Sequence, residues 1–264
     1  NDINDDGGAA LNATNLVLNS TSGSIGTSGT AISTTVTNLT ANATASGQNV
    51  YIAETNGLEI TGAQGAGNIY SLTSTTGNIT NATNTAADII TAPTVILSAG
   101  SGSIGTTTAR VNVNTDNLSA SATAANQNIF IQETNSVNLN TSGAGATFNL
   151  LAGGNITDTA AAVVTATSVV LTSTTGSIGD SVNRIQISAD NLTANATTAS
   201  QNIDRLYTLR GRAGVRSGRH HRAGPGAGRR PVRRPRLRRP PGGRGGDRRR
   251  LQRVGTHVLL RIDG

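Results

Sequence analysis

The side chains of this 264-residue chain that could do chemistry recur at fixed intervals. Glu54 and Glu133 stand in nearly the same words, Ala53-Glu-Thr-Asn56 and Gln132-Glu-Thr-Asn135. Asp116 and Asp190 likewise stand one repeat apart. Two carboxyl groups a few ångströms apart on one face can cleave a glycosidic bond, and carboxylates with a cation can bind metal. An active site is normally a single event, however, and recurrence at the period of the surrounding text is what structural turns produce. No residue is therefore assigned a catalytic, cofactor-binding or metal-binding role, and the chain reads as a non-enzyme. His220, His221 and His257 have no carboxylate or Cys at metal-ligand spacing. Phosphate-binding loops, nucleophile elbows and the calcium nonapeptide are absent, so no cofactor is expected. Asn-x-Ser/Thr sequons occur at Asn12, Asn38, Asn42, Asn78, Asn117, Asn155, Asn191 and Asn195, most of them a product of an Asn- and Thr-rich composition.

What must position these residues is an unusual material. Cys, Met, Trp and Lys are absent, and five aromatics are all there are: Tyr51, Tyr70, Phe130, Phe148 and Tyr207. A globular core draws on large aromatic and Leu or Met side chains. Small and β-branched residues suit a narrow stacked β structure instead. The lack of Met reads as a fragment of a longer polypeptide. No run of about 18 apolar residues is present, so no membrane-spanning helix is expected. Charge divides the chain in two. Residues 1–203 hold two basic residues, Arg110 and Arg184, against eleven acidic ones; residues 204–264 hold 19 Arg against three Asp.

Three blocks repeat in order through the first part. The first runs Asn15-Leu-Val-Leu-Asn-Ser-Thr-Ser-Gly-Ser-Ile-Gly26 and returns at 94–105 and 168–179. The second is Asn38-Leu-Thr-Ala-Asn-Ala-Thr44, returning at 117 and 191. The third is Gln48-Asn-Val-Tyr-Ile-Ala-Glu-Thr-Asn56, returning at 127 as Gln-Asn-Ile-Phe-Ile-Gln-Glu-Thr-Asn. Read at Gly23, Gly102 and Gly176, the intervals are 79 and then 74. Shorter echoes at 71–79 and 150–156 divide each long unit into three or four coils of roughly 20–25 residues.

Short apolar runs such as 16–18, 32–39, 50–52, 58–60, 95–97, 111–113, 129–131, 137–139, 169–171 and 185–187 often alternate with polar residues, the period of a strand buried on one face. Gly, Asn, Ser and Thr separate them, as turns require. One such coil cannot bury enough apolar surface to offset the entropy of ordering it, so coils must stack. Asn at corners can adopt left-handed backbone and bond to an equivalent Asn one coil away. The expectation is an all-β, right-handed parallel β-helix over residues 1–203.

Val-x-Leu-x-x-x-x-Gly-Ser-Ile-Gly, then Asn-Leu-Thr-Ala-x-Ala, then Asn-Ile/Val-aromatic-Ile-x-Glu-Thr, resemble the repeats of filamentous haemagglutinin-like adhesins, over about residues 10–203. These are large exoproteins of Gram-negative bacteria exported by two-partner secretion. The resemblance implies an extracellular shaft at the bacterial cell surface, attachment to a host or neighbouring-cell receptor or glycan, and an outer-membrane secretion partner. The alternative is a carbohydrate-binding or polysaccharide-processing β-helix module.

At Gln201-Asn-Ile203 the third copy opens on schedule, but Asp204-Arg205 stands where an aromatic residue and Ile should follow. From 204 on, the chain carries 19 Arg, 12 Gly and 5 Pro. A polyanion-binding arm is one reading, without the interleaved aromatics that stack bases. Loss of register inside a repeat favours a frameshift in a GC-rich gene, so no nucleic-acid partner is assigned. Residues 204–264 are expected to be disordered or poorly packed, with at most a short strand within 254–262.

Overall fold

A computed structural model describes residues 1–204 except Asn84, Ala86, Ala160, Asn183 and Ala199, together with the backbone of 207–208 and 257–261. Among the described residues every regular element is a strand, and the strands stack in parallel as a β-solenoid of about eight coils. One step along the ladder carries the chain from Ile129 to Phe148 at its shortest and from Gln64 to Ile90 at its longest, close to the expected coil length. Among the described strands one pairing is antiparallel, His257–Arg261 against Asn191–Ala196. Most of 204–264 lies outside the described residues.

The long repeat does not contain a whole number of coils. From Ile25 the ladder climbs through Val50, Tyr70, Val95, Leu118 and Leu139. Two positions before Leu139, Val137 continues the climb through Ile156 to Ile178. Seven steps therefore separate the Ser-Ile-Gly motifs of the first and third copies. The second copy's Ile104 belongs to another column, Leu58–Ile79–Ile104–Ile129–Phe148. One long repeat is three and a half coils, and successive copies face opposite sides of the stack.

Inside, side chains alternate as a pleat dictates. Ser168–Ser173 and Thr147–Ala152 bury every second residue. The core is built of Ile, Val, Leu and Ala, with two aromatics, Tyr70 and Phe148, both fully buried one coil below Val95 and Val169. The Tyr70 hydroxyl donates to Gln64 Oε1 at 2.5 Å, which gives its polar end a partner.

The residue types in Gly-Ser-Ile-Gly each answer a constraint. The coils approach so closely at the first Gly that a Cβ on Gly102 would stand 2.0 Å from the Gly77 carbonyl oxygen, and one on Gly176 2.3 Å from Asn155 N. Ser caps the corner between coils. Its N–H donates to Asp2, Asn78 or Asn155 Oδ1 on the preceding coil, at 2.7, 2.8 and 2.7 Å for Ser24, Ser103 and Ser177. Its hydroxyl donates to Gln48, Gln127 or Gln201 Oε1 on the following coil and accepts the N–H of Asn49, Asn128 or Asn202. Ile enters the core. The last Gly takes φ of +65°, +66° and +76° at Gly26, Gly105 and Gly179, which a residue with a Cβ adopts at a cost.

That glycine starts an excursion. Ile25 and Ile32 pair with Val50 and Ile52, so the whole of 26–31 stands opposite the single residue Tyr51. In the second copy 105–110 stand opposite Phe130 in the same way. Thr27 and Thr106 close these loops by accepting the N–H of Thr30 and Ala109 at 2.9 Å.

Candidate functional site

The two recurring glutamates sit at strand ends and point inward. Val50–Glu54 and Ile129–Glu133 bury their first, third and fifth residues, which leaves Glu54 fully buried and Glu133 1% exposed. Each fills a gap in a hydrogen-bond ladder. The long strand Ile32–Ala43 runs straight while the next coil turns two corners, pairing in turn with Val50–Glu54, Leu58–Ile60 and Gln64–Ala66. At the first corner the N–H of Val36 donates to Glu54 at 3.1–3.2 Å, as does the N–H of Asn56 at 3.2 Å, and Thr34 Oγ1 donates at 2.6 Å. The next long repeat reuses the device: Thr115 N–H and Asn135 N–H donate to Glu133 at 3.1–3.3 Å and 3.2 Å. At the second corner Gln64 Oε1 and Ser142 Oγ accept the N–H of Ala41 and Ala120.

Burial pushes the Glu133 carboxyl up to about 7; the backbone donors Asn135, Thr115 and Thr134 pull against it, and the Asp116 charge adds to the rise. A carboxyl group titrating near neutrality resembles a general acid, but a proton donor must reach its substrate, and Glu133 is closed to solvent. Nor do Glu54 and Glu133 form a pair. They occupy different columns three and a half coils apart, roughly 17 Å along the axis at about 4.8 Å per coil. Asp116 is exposed at the turn before Asn117–Ala122, and Asp190 half-buried before Asn191–Ala196. All four are corner residues, placed where the repeat turns.

Spacing alone did not reveal a second set of polar residues inside the wall. Asn81 and Asp158 are buried there, and they and the half-buried Asp5 at the end of the stack each follow an isoleucine by two positions. Asp5 and Asp158 accept the N–H of Ser33 and Gln186 at 2.9 and 3.2 Å, at the strand that follows the excursion one coil on. The other Asp158 oxygen, Oδ1, is buried without a hydrogen-bond partner. Burial first, and the Asp180 charge second among the raising causes, hold this carboxyl above its ordinary range. At Asp88 burial is the largest single influence, yet three hydrogen bonds from Thr83 and Gly62 together outweigh it and hold the carboxyl below that range. Among the described residues no group of three or more His, Cys, Asp or Glu is placed to hold a metal ion. His220 and His221 lie outside them, and of His257 only the backbone is described.

The outer surface is polar and internally bonded. Asn38 Nδ2 donates to Asn15 Oδ1 at 2.6 Å, Asn42 to Asn19 at 3.2 Å, Asn68 to Asn49 at 3.0 Å and Asn135 to Asn114 at 3.0 Å, the expected cross-coil amide bonds. Among sequon asparagines, Asn12, Asn78, Asn155 and Asn191 are exposed. Phe130 faces outward beneath the Arg110 guanidinium, 5.8 Å from its ring centre, and Arg110 reaches on to Asn149 Oδ1 at 3.0 Å. This half-buried ring thus carries a cation over one face. No helix among the described residues is long and apolar enough to cross a membrane. No family model, curated protein or solved structure matches the chain.

Proposed function

We propose that residues 1–203 are a length of extracellular shaft from a bacterial surface adhesin, which sets distance between the cell and whatever the adhesin grips. One observation carries this reading: polar side chains with recurring positions are committed to joining one coil to the next. Ser24, Ser103, Ser177, Glu54, Glu133 and the asparagine ladders all bond across coils. A wall so bonded adds length with each coil, as a solenoid spacer requires. The resemblance of its repeats to filamentous haemagglutinin-like adhesins supplies the cellular setting: a secreted chain, an outer-membrane secretion partner and a receptor or glycan on a host or neighbouring cell.

Whole-coil deletion tests it. Chains shortened by residues 69–93, displayed on a bacterial surface, are expected to keep their attachment strength per molecule and lose reach in proportion to the coils removed. Attachment strength that falls with each coil would favour the carbohydrate-binding alternative. Cleavage of a polysaccharide by the purified chain would overturn the shaft reading and favour the polysaccharide-processing form of the alternative.

A further inference from the structure

The two ends of the coil stack are not alike. At one end Asn191–Ala196 is covered by His257–Arg261. At the other, Leu11–Asn19 pairs with Ile32–Ala43 on one side and with nothing described on the other. Its inward residues Ala13, Leu16 and Leu18 pack on the core and yet stay partly exposed, whereas the repeat equivalents of the two leucines, Val95, Leu97, Val169 and Leu171, are at most 1% exposed. Of the three large hydrophobic residues exposed among the described residues, Leu11 at 43% and Val17 at 61% lie on this strand. It carries no charge and no proline, the devices by which edge strands refuse partners.

We infer that the open edge of Leu11–Asn19 is the docking surface for one further parallel coil, whose strand carries an inward aromatic residue followed two positions later by Leu. The repeat itself defines that partner. Leu16 and Leu18 correspond to Val95 and Leu97 and to Val169 and Leu171. Those pairs are covered by Tyr70 and Leu72 in one copy and by Phe148 and Leu150 in the other. The backbone is set for it as well. Thr94 and Ser168, the equivalents of Asn15, donate backward to Asn68 O and Ala146 O at 3.0 and 2.9 Å. Since alternate residues of a parallel strand address opposite neighbours, Asn15, Val17 and Asn19 turn their N–H groups toward the open side. A second copy of this chain cannot supply the strand from Ile69–Ser74 or Thr147–Ala152, whose inward aromatics Tyr70 and Phe148 have the required pattern, because both strands are already paired on both sides. Coil stacking here continues an interface already repeated through the molecule, whether or not the shaft is adhesive.

The test extends the full chain at its N-terminus by a copy of residues 131–153, which places the copied Phe148 over Leu16 in the register seen over Val169. Amide exchange at Asn15, Val17 and Asn19 is expected to slow about tenfold or more, with a higher thermal midpoint. Changing the copied Phe148→Ser is expected to cancel much of both effects while the rest of the chain keeps its protection. Unchanged exchange at these three amides in the extended chain would overturn the inference. So would a concentration-dependent dimer of the unextended chain that protects the same amides, since the occupant would then be a second copy.

Discussion

Ser103 Oγ and Gln127 Oε1, one coil apart along the stack, are 2.8 Å apart in space, and the same bond joins Ser24 to Gln48 at 2.9 Å and Ser177 to Gln201 at 3.0 Å. The serine accepts the N–H of the residue after the glutamine and donates to the glutamine itself, so one hydroxyl stitches two coils in both directions. Ser103→Ala leaves Asn128 N–H and Gln127 Oε1 without this partner, at a cost of about 1–2 kcal/mol. Denaturant unfolding of the variant should show it. The Ser24→Ala and Ser177→Ala losses should add, because seven ladder steps separate them. An unchanged midpoint for all three variants would show that water replaces the hydroxyl without loss.

Glu133 gives the wall a pH dependence whose direction follows from its environment. Its folded pKa of about 7 lies above the ordinary 4.5, so the folded chain holds a proton that the unfolded chain releases. The stability it contributes is fully present below about pH 4.5 and lost as the pH rises to about 7, on the order of 3 kcal/mol in total. Glu133→Gln mimics the protonated group and keeps an acceptor for Thr115 N–H. Unfolding measured from about pH 4 to 8 should lose much of its slope between those two pKa values in this variant. If the slope is unchanged, Glu133 is not the titrating group.

The corner before each Gln-Asn pair requires left-handed backbone. Gly47 supplies it in the first copy with φ +79°, but the second and third copies place Asn126 at +65° and Ser200 at +71° there. Asn tolerates this region through its short polar side chain, and Ser does so less well. Ser200→Gly is expected to stabilise by about 0.5–1 kcal/mol, and Asn126→Gly by less, because glycine also gains freedom in the unfolded chain. Gly105→Ala should do the reverse and by more, since its new Cβ would stand 2.3 Å from the Phe130 carbonyl oxygen. Thermal unfolding of the three single variants ranks them, and a stabilised Gly105→Ala would contradict the close approach.

The coil stack was legible in the sequence because its strongest signals are covalently local. Gly-Ser-Ile-Gly marks a corner, an inward side chain and the start of a loop in one short motif, and Val-x-Leu marks a pleat. The strand Asn117–Ala122 was harder to read, since its inward residues after Leu118 are Ala120 and Ala122, too small to give an alternating apolar pattern. The inward aromatics Tyr70 and Phe148 escaped for a different reason: they lie in different long repeats among dissimilar neighbours, so only the ladder reveals that they are equivalent. Recurrence of Glu54 and Glu133 suggested turns, and their role as acceptors depends on the next coil turning a corner opposite Val36, within Ile32–Ala43, and opposite Thr115, between Val111–Asn114 and Asn117–Ala122. No one-dimensional pattern contains that relationship.

Register can be tested by removing a single coil. Residues 69–93 span one ladder step, from Ile69 to the residue before its partner Thr94. Without them Val50 meets Val95 in place of Tyr70, and Leu58 meets Ile104 in place of Ile79, so both columns stay apolar. That deletion is expected to keep the β-sheet circular dichroism and a cooperative unfolding transition. Deleting 69–94 removes one residue more, and in a structure of period two a shift of one turns the inward face of the following strand outward. Val95 and Leu97 would then face solvent while Ile96 and Ser98 entered the wall. The longer deletion should lose cooperative unfolding or aggregate, although it differs by only Thr94. Equal behaviour of the two variants would mean that the stack tolerates slippage, and that the spacing of the repeated blocks is not what holds the coils in register.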